Sequence, residues 1–443
     1  MQTSIITNVR RVTQWLMPVL IIALPLQTQL ILKEGVIKGE TWQYGTIGIF
    51  AFDIVVILWV ALFFVTGRKA HGVPKTIWLV SGALWATAFF SVWFSSNRLI
   101  SWYHVGVLAV GICVMWLFVG WKPRIRELGM AFAMSGVIQS ILGVGQVLVQ
   151  EVFPSTLFGM AAHTPGAIGA AVVGTTEGRF LRAYGSFPHP NTLAGFLVIC
   201  LLLSIGWYLR ASARWERICA LAAQGIISAG IVSTFSRSAW AIAAATALFT
   251  GIMIVHYYPS FRRHIIFSLI SIAFAASAFG ALFYPLVLTR VFGGTRLEVQ
   301  SVTERLAGYT DARIVLEKAW LHGTGIGSYT LAVRDDVDRD RPIWQLQPVH
   351  NTYLLVAAEV SIFGLVFLLL LLFELFKEGI MRAISLPLGS SLALGVLLAV
   401  LITGLFDHYY WSLHGGIVVF WASIGVALCL LYGSEKPTGD VDK

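Results

Sequence analysis

Twelve stretches of the chain stay apolar for long enough to be membrane spans: 12–32, 44–66, 76–95, 100–121, 128–150, 191–209, 218–235, 238–257, 265–287, 351–376, 386–405 and 412–432. A helix rises about 1.5 Å per residue, so roughly 20 such residues cross a hydrocarbon layer about 30 Å thick. The pattern therefore predicts an all-α polytopic membrane protein with about twelve transmembrane helices. Across all twelve stretches the only Asp, Glu, Lys or Arg residues are Asp53, Glu359 and Glu374. The first stretch carries prolines, is soon followed by others and lacks a small-residue cleavage site, so it reads as a span and not as a cleaved leader.

Two polar breaks are much longer than a helix connection needs, 151–190 and 288–350, and loops of that length usually carry function. Within the second, Val299, Val302, Leu306, Tyr309, Leu316 and Trp320 recur at helical spacing. This predicts an amphipathic helix over 297–320 at the membrane surface. The chain then divides into a five-helix region (1–150), a loop (151–190), a four-helix region (191–287), a large loop (288–350), a three-helix region (351–432) and a tail (433–443).

Lys and Arg orient the helices, because cytoplasmic loops carry an excess of them. With a cytoplasmic N-terminus, 17 of the 31 fall inside, among them Arg10, Arg11, Arg68, Lys69, Lys122, Lys436 and Lys443. The short outside turns hold only Lys33, Lys38, Arg98 and Arg237. Both termini are expected in the cytoplasm, and both long loops on the far side. This explains the net charge of +9 as a topology signal and speaks against nucleic-acid binding.

Composition agrees. Hydrophobic residues make up 57% and charged ones 12%, where soluble domains carry about 25% charged. The four cysteines have no paired spacing and predict neither disulfides nor a thiolate metal site.

Four constellations could carry chemistry. Arg182 precedes the sixth span in Arg182–Thr192, where Asn191 or Thr192 would serve as a helix cap. Arg237 lies at the tight turn 233–240, with Glu216 and Glu298 the nearest acids and both distant in sequence. It is either an interface anchor or an anion site. Arg305 lies on the surface helix, while Arg313 and Glu317 form an ordinary i,i+4 pair. His350 opens the tenth span beside Asn351, a natural cap, and Glu359 follows deeper in the same span. Arginines suit phosphate, and a neutral imidazole takes a proton near neutral pH. Two other signals carry less. Gly323–Gly327 reads as a tight turn, and the run Asp335–Arg341 as a solvated loop. Asp407, His408 and His414 border the last two spans without an assigned role.

The segments RAYGSFPHPNTLAG, STFSRSAW, ERLAGY through HGTGIGSY, and HNTYLLVAAEVSIFGL, in that order over about 180–365, resemble the O-antigen ligase and O-antigen polymerase superfamily of bacterial membrane glycosyltransferases. The first five spans match it only in hydropathy, and His189 stands where a small polar residue is expected. The resemblance implies a GT-C-like membrane fold in the bacterial inner membrane. It also implies an inverting transfer, without metal or cofactor, of a glycan from undecaprenyl diphosphate to a sugar hydroxyl of lipid A–core or another glycan acceptor. By motif, Arg237, Arg305 and His350 are the catalytic candidates. Arg182, Asn191, Asn351, Tyr309 and Glu359 are the candidates for substrate binding. Repeat-unit polymerase and protein O-glycosyltransferase are the alternatives within the superfamily. Outside it stands a secondary transporter or flippase, which the lack of an internal repeat disfavours.

Overall fold

The computed structural model describes residues 16–65, 72–121, 123–294 and 296–433. The tail beyond 433, and Arg10, Arg11, Arg68, Lys69, Lys122, Lys436 and Lys443, lie outside the described residues. Ten helices among the described residues are long and apolar enough to cross a membrane. In chain order the helices are α1 (16–23), α2 (Ala51–Val65), α3 (Lys75–Ser91), α4 (Arg98–Trp121), α5 (Ile125–Val149), α6 (Pro190–Arg210), α7 (Arg214–Ser233), α8 (Arg237–Tyr257), α9 (Arg262–Leu282), α10 (Tyr284–Phe292), α11 (Arg296–Ala319), α12 (Tyr329–Asp336), α13 (Thr352–Met381), α14 (Pro387–Phe406), α15 (Tyr409–Ser412) and α16 (His414–Tyr432).

The first two expected spans are shorter than their hydropathy. Residues 29–32 and 46–50 are not helical, and Gln43–Gly45 form a single 3-10 turn. β1 (Gln29–Lys33) pairs antiparallel with β4 (Ile47–Phe50), and β2 (Val36–Ile37) with β3 (Glu40–Thr41). An apolar run of this length suits a strand as well as a helix, and only pairing decides between them. The described helix α2 therefore begins at Ala51 and falls short of membrane length. Residues 12–15 of the first expected span lie outside the described residues.

Helix α6 is the mast of the bundle. All its residues from Pro190 to Leu209 are buried, as an all-round apolar helix requires. α5 crosses it closely, because a Cβ at Gly129 would stand 2.5 Å from the Leu203 carbonyl oxygen. α16 is buried from Gly415 to Leu431, whereas α9 buries only Ile265, Ser268 and Phe279 and turns most of its surface outward.

The loops segregate to two ends. At one, Arg126 pairs with Glu216, and Arg382 stacks on Tyr432. At the other, the segment around β1–β4, the loop 150–189, the α7–α8 turn, the insert α10–α12 and the α14–α16 connection meet. Gln27 there bonds Phe158, Ala183 bonds the Ser233 carbonyl, and Thr352 bonds the Asp407 carbonyl. Within the loop 150–189, β5 (Val172–Gly174) and β6 (Arg179–Leu181) form a small antiparallel pair.

The expected tenth span is broken inside. Ser361 has φ 86° and ψ 170°, dividing α13 into 352–360 and 362–381. The carbonyls of Ala358 and Glu359 accept the amides of Thr324 and Gly325, and Ile362 donates to the Trp320 carbonyl at 2.9 Å. The helix's own bonds are thus exchanged for bonds to the loop 320–328. That loop turns at Gly323, Gly325 and Gly327, all with positive φ, which glycine adopts without steric cost. The glycine-rich segment is therefore the tight turn its sequence suggests. α11 coincides with the expected amphipathic helix. Its residues Val299, Val302, Leu306 and Tyr309, and Trp320 just beyond its end, are exposed.

Candidate functional site

The α7–α8 turn is the hub of the loop-rich end. Phe235 adopts φ 48° there, and the turn's carbonyls face inward. Arg182 Nε donates to the Thr234 carbonyl at 2.7 Å, and Arg290 Nε to that of Phe235 at 2.8 Å. Arg237, at the first position of α8, donates from Nη1 to the Arg290 carbonyl at 3.2 Å. Three arginines from three segments thus converge on one turn.

One carboxylate sits among them. Glu298, 3% exposed, bonds Arg290 at 2.5 Å and lies 3.5 Å from Arg237 Nη2. Arg237 therefore has an acidic partner in space, although none stands near it in sequence. α10 and α11 fold back so that Glu298, distant in sequence, reaches the turn. Arg305 lies two turns further along α11, and its Nε is buried without a hydrogen-bond partner. Its charge and that of Arg290 both act on Arg182. Burial first, then these two neighbours, lowers the Arg182 guanidinium to about 9, still protonated at neutral pH. Among the described residues, Glu298 is the carboxylate paired within this group of four arginines, which leaves an excess of positive charge of the kind that suits an anion.

Arg182 also joins a second cluster. Its Nη2 donates to Asn191 Oδ1 at 2.6 Å, and Asn191 Nδ2 donates to Asp407 Oδ2 at 2.6 Å. Asn191 is therefore not the cap of α6. His189 is, its Nδ1 accepting from the Asn191 amide at 3.1 Å, which gives the atypical histidine a structural task. His350 and His408 complete the group, their rings edge to face at 5.1 Å. His408 shares a hydrogen with Ser412 at 2.6 Å, whereas neither ring nitrogen of His350 has a hydrogen-bond partner among the described residues.

Electrostatics separates the two clusters. Burial, above all, lowers the His350 imidazole below its ordinary value; Arg305 adds to this and Asp407 opposes it. Burial likewise brings His189 and His408 down to about 3. Burial disfavours the Asp407 carboxylate too, but the neighbouring imidazoles and the Asn191 amide outweigh it and hold Asp407 at about 2. At neutral pH the second cluster is one carboxylate among neutral imidazoles, beside a cationic first cluster. α11 links them, since a Cβ at Gly308 would stand 3.9 Å from Val349, next to His350.

The other candidates fall elsewhere. Asn351 caps α13, accepting from the Leu354 amide at 3.0 Å. Tyr309 is 39% exposed and lines an open groove with Leu316, Trp320 and Leu354 on the outer side of α11. Glu359 is turned into the protein, where its carboxylate accepts the amides of Gly327 and Tyr329 and the indole of Trp411. The run 335–341 is laced by ion pairs of Asp335, Asp336 and Asp340 with Arg334, Lys318 and Lys38. Arg290 sits in no motif and carried no signal in the sequence, and Glu298 stood out only as an acid distant in sequence from Arg237. Asp407 carried only its place at a span end.

Residues 222–369 match the family model described as O-antigen ligase. That stretch holds Arg237, Arg290, Glu298, Arg305 and His350. Arg182, Asn191 and Asp407 lie outside it and reach the same cluster through the fold. No curated protein matches the chain. Over residues 222–369, on a bundle of membrane-length helices, the chain is similar to the O-antigen ligase family.

Proposed function

We propose that the protein is an O-antigen ligase-type glycosyltransferase of the bacterial inner membrane. It moves a glycan from undecaprenyl diphosphate to a sugar hydroxyl of lipid A–core on the non-cytoplasmic face, with both termini cytoplasmic. The observation that carries this is the juxtaposition of Arg182, Arg237, Arg290 and Arg305 around Glu298 with the neutral imidazole of His350, which has no side-chain hydrogen-bond partner among the described residues. A sugar hydroxyl is a weak nucleophile, and His350 is suited to take its proton as it attacks the anomeric carbon. The diphosphate leaving group is already acidic. It needs positive charge and not a proton, and Arg237 and Arg305 supply that charge. Attack from the side opposite the diphosphate inverts the anomeric centre. Arg182 and Asn191 hold the two clusters in register.

The test is deletion of the gene followed by gel analysis of the cell's lipopolysaccharide. Loss of full-length glycan from the core, with lipid-linked polymer accumulating, is the expected result. A core bearing a single repeat unit would mean a polymerase instead. An unchanged ladder would end both readings.

A further inference from the structure

Beside His350 lies a chamber of about 590 Å³, walled by the segment around β1–β4, the loop 150–189, α4 and the α14–α16 connection. This is within the size range of pockets that enclose small organic ligands. Its lining differs sharply from the arginine cluster. No Lys or Arg lines it among the described residues, and Asp407 is its one carboxylate. Amides and hydroxyls supply the polarity instead, among them Gln29, Gln43, Gln347, Tyr44, Thr41 and Thr46. Side-chain amides and phenols both donate and accept, as a polyhydroxylated ligand requires. The aromatic faces suit the apolar faces of sugar rings. The histidines on its walls outside the spans (His163, His189, His350 and His408) are all lowered by burial, so none provides a cation at neutral pH.

Resting on the glycosyl-transfer reading above, we infer that this chamber holds the acceptor sugar, and that the acceptor is uncharged around its reacting hydroxyl. The base must stand on the acceptor's side of the anomeric carbon and the leaving group opposite. His350 lines the chamber, whereas Arg237, Arg290 and Arg305 do not. The diphosphate therefore belongs on the arginine side and the attacking hydroxyl in the chamber. A phosphorylated or carboxylated sugar there would be an unpaired anion, removed from water and facing Asp407, which is strongly unfavourable. A neutral sugar meets only hydrogen-bonding groups. The arginine cluster thus selects the donor by charge, and the chamber selects the acceptor by its lack of charge.

The experiment uses the purified full chain, its lipid-linked donor, and core glycolipid from the gene-deleted strain. The glycolipid is tested native and with its primary hydroxyls oxidised to carboxylates. Two rates are read: glycan transfer, and donor hydrolysis by water without acceptor. Tyr44→Ala and Gln347→Ala should each raise the acceptor KM about tenfold or more, while thermal unfolding in detergent close to the wild-type temperature shows that the variants are folded. The oxidised acceptor should be used at least tenfold less well than the native one, and Gln347→Arg should recover part of that loss. Unchanged acceptor KM in both alanine variants, or equal use of the two acceptors, would overturn the assignment. Failure of the underlying reading looks different: wild-type protein would neither transfer nor hydrolyse the donor.

Discussion

His350 and Glu298 show how two residues with similar surface positions in the sequence come to differ. His350 is half-buried, low in proton affinity and, among the described residues, without a side-chain hydrogen-bond partner, as the proposed base requires before its substrate binds. His350→Ala should slow transfer by about 10²–10⁴-fold, while donor binding, held by the arginines, persists. Near-normal turnover per folded molecule would remove the base assignment. Because the base must be neutral, and burial holds it below its ordinary value, the acid limb of the rate profile should lie below pH about 6.5. Asp407 raises the proton affinity of His350, so Asp407→Asn should move that limb to still lower pH. A shift to higher pH would show that another group controls it. Glu298 is structural by contrast. Glu298→Gln leaves Arg290 buried without its anion, and breaking a buried pair costs about 3–5 kcal/mol. Arg313→Ala removes only an exposed i,i+4 pair, worth about 0.3–0.5 kcal/mol. Thermal unfolding in detergent should separate the two clearly. A Glu298→Gln protein as stable as Arg313→Ala would mean that Glu298 is not the counter-ion of the cluster. The arginines at 182, 237 and 305 were legible in the sequence, because motif and topology mark them. Arg290, Glu298 and Asp407 were not, because their significance arises only when distant segments meet.

At the scale of elements, hydropathy located every helix of membrane length, and it failed where backbone pairing competes with helix formation. Residues 29–32 and 47–50 are apolar enough to be read as parts of two spans, yet they pair with each other as strands. The run 351–376 reads as one span, yet α13 breaks at Ser361, because the loop 320–328 takes over the carbonyls of Ala358 and Glu359. Neither exchange leaves a trace in local composition. The one hint was Glu359, costly in a span unless satisfied, and satisfied here by the amides of that same loop. Ser361 occupies a backbone region that is open essentially to glycine alone and costs about 1–3 kcal/mol otherwise. Ser361→Gly should therefore raise thermal stability, and Ser361→Val should lower it, with activity following the fold. If glycine were neutral or destabilising, the break would not be strained, and the exchange of hydrogen bonds would account for it alone.

For the whole molecule, the clearest regularity is that, among the described residues, segments expected on one side of the membrane are joined to one another. Arg126, Glu216, Arg382 and Tyr432 meet at one end. The loop 150–189, the α7–α8 turn, α10–α12 and the α14–α16 connection meet at the other. Segregation does not say which end faces the cytoplasm; the Lys and Arg bias is the basis for proposing that the loop-rich end faces outward. The two arguments are independent, and labelling tests their combination. Asp340 has a side chain 96% exposed at the site-bearing end, and Ser212 is exposed at the opposite end. In a background where the exposed Cys219 is replaced by serine, Asp340→Cys should react with an impermeant thiol reagent from outside the inner membrane. Ser212→Cys should react only after the membrane is opened. The proposed mechanism needs this polarity, because its acceptor glycan is met on the non-cytoplasmic face. The reverse pattern would put the arginine cluster and His350 in the cytoplasm, and transfer to lipid A–core could not be their function.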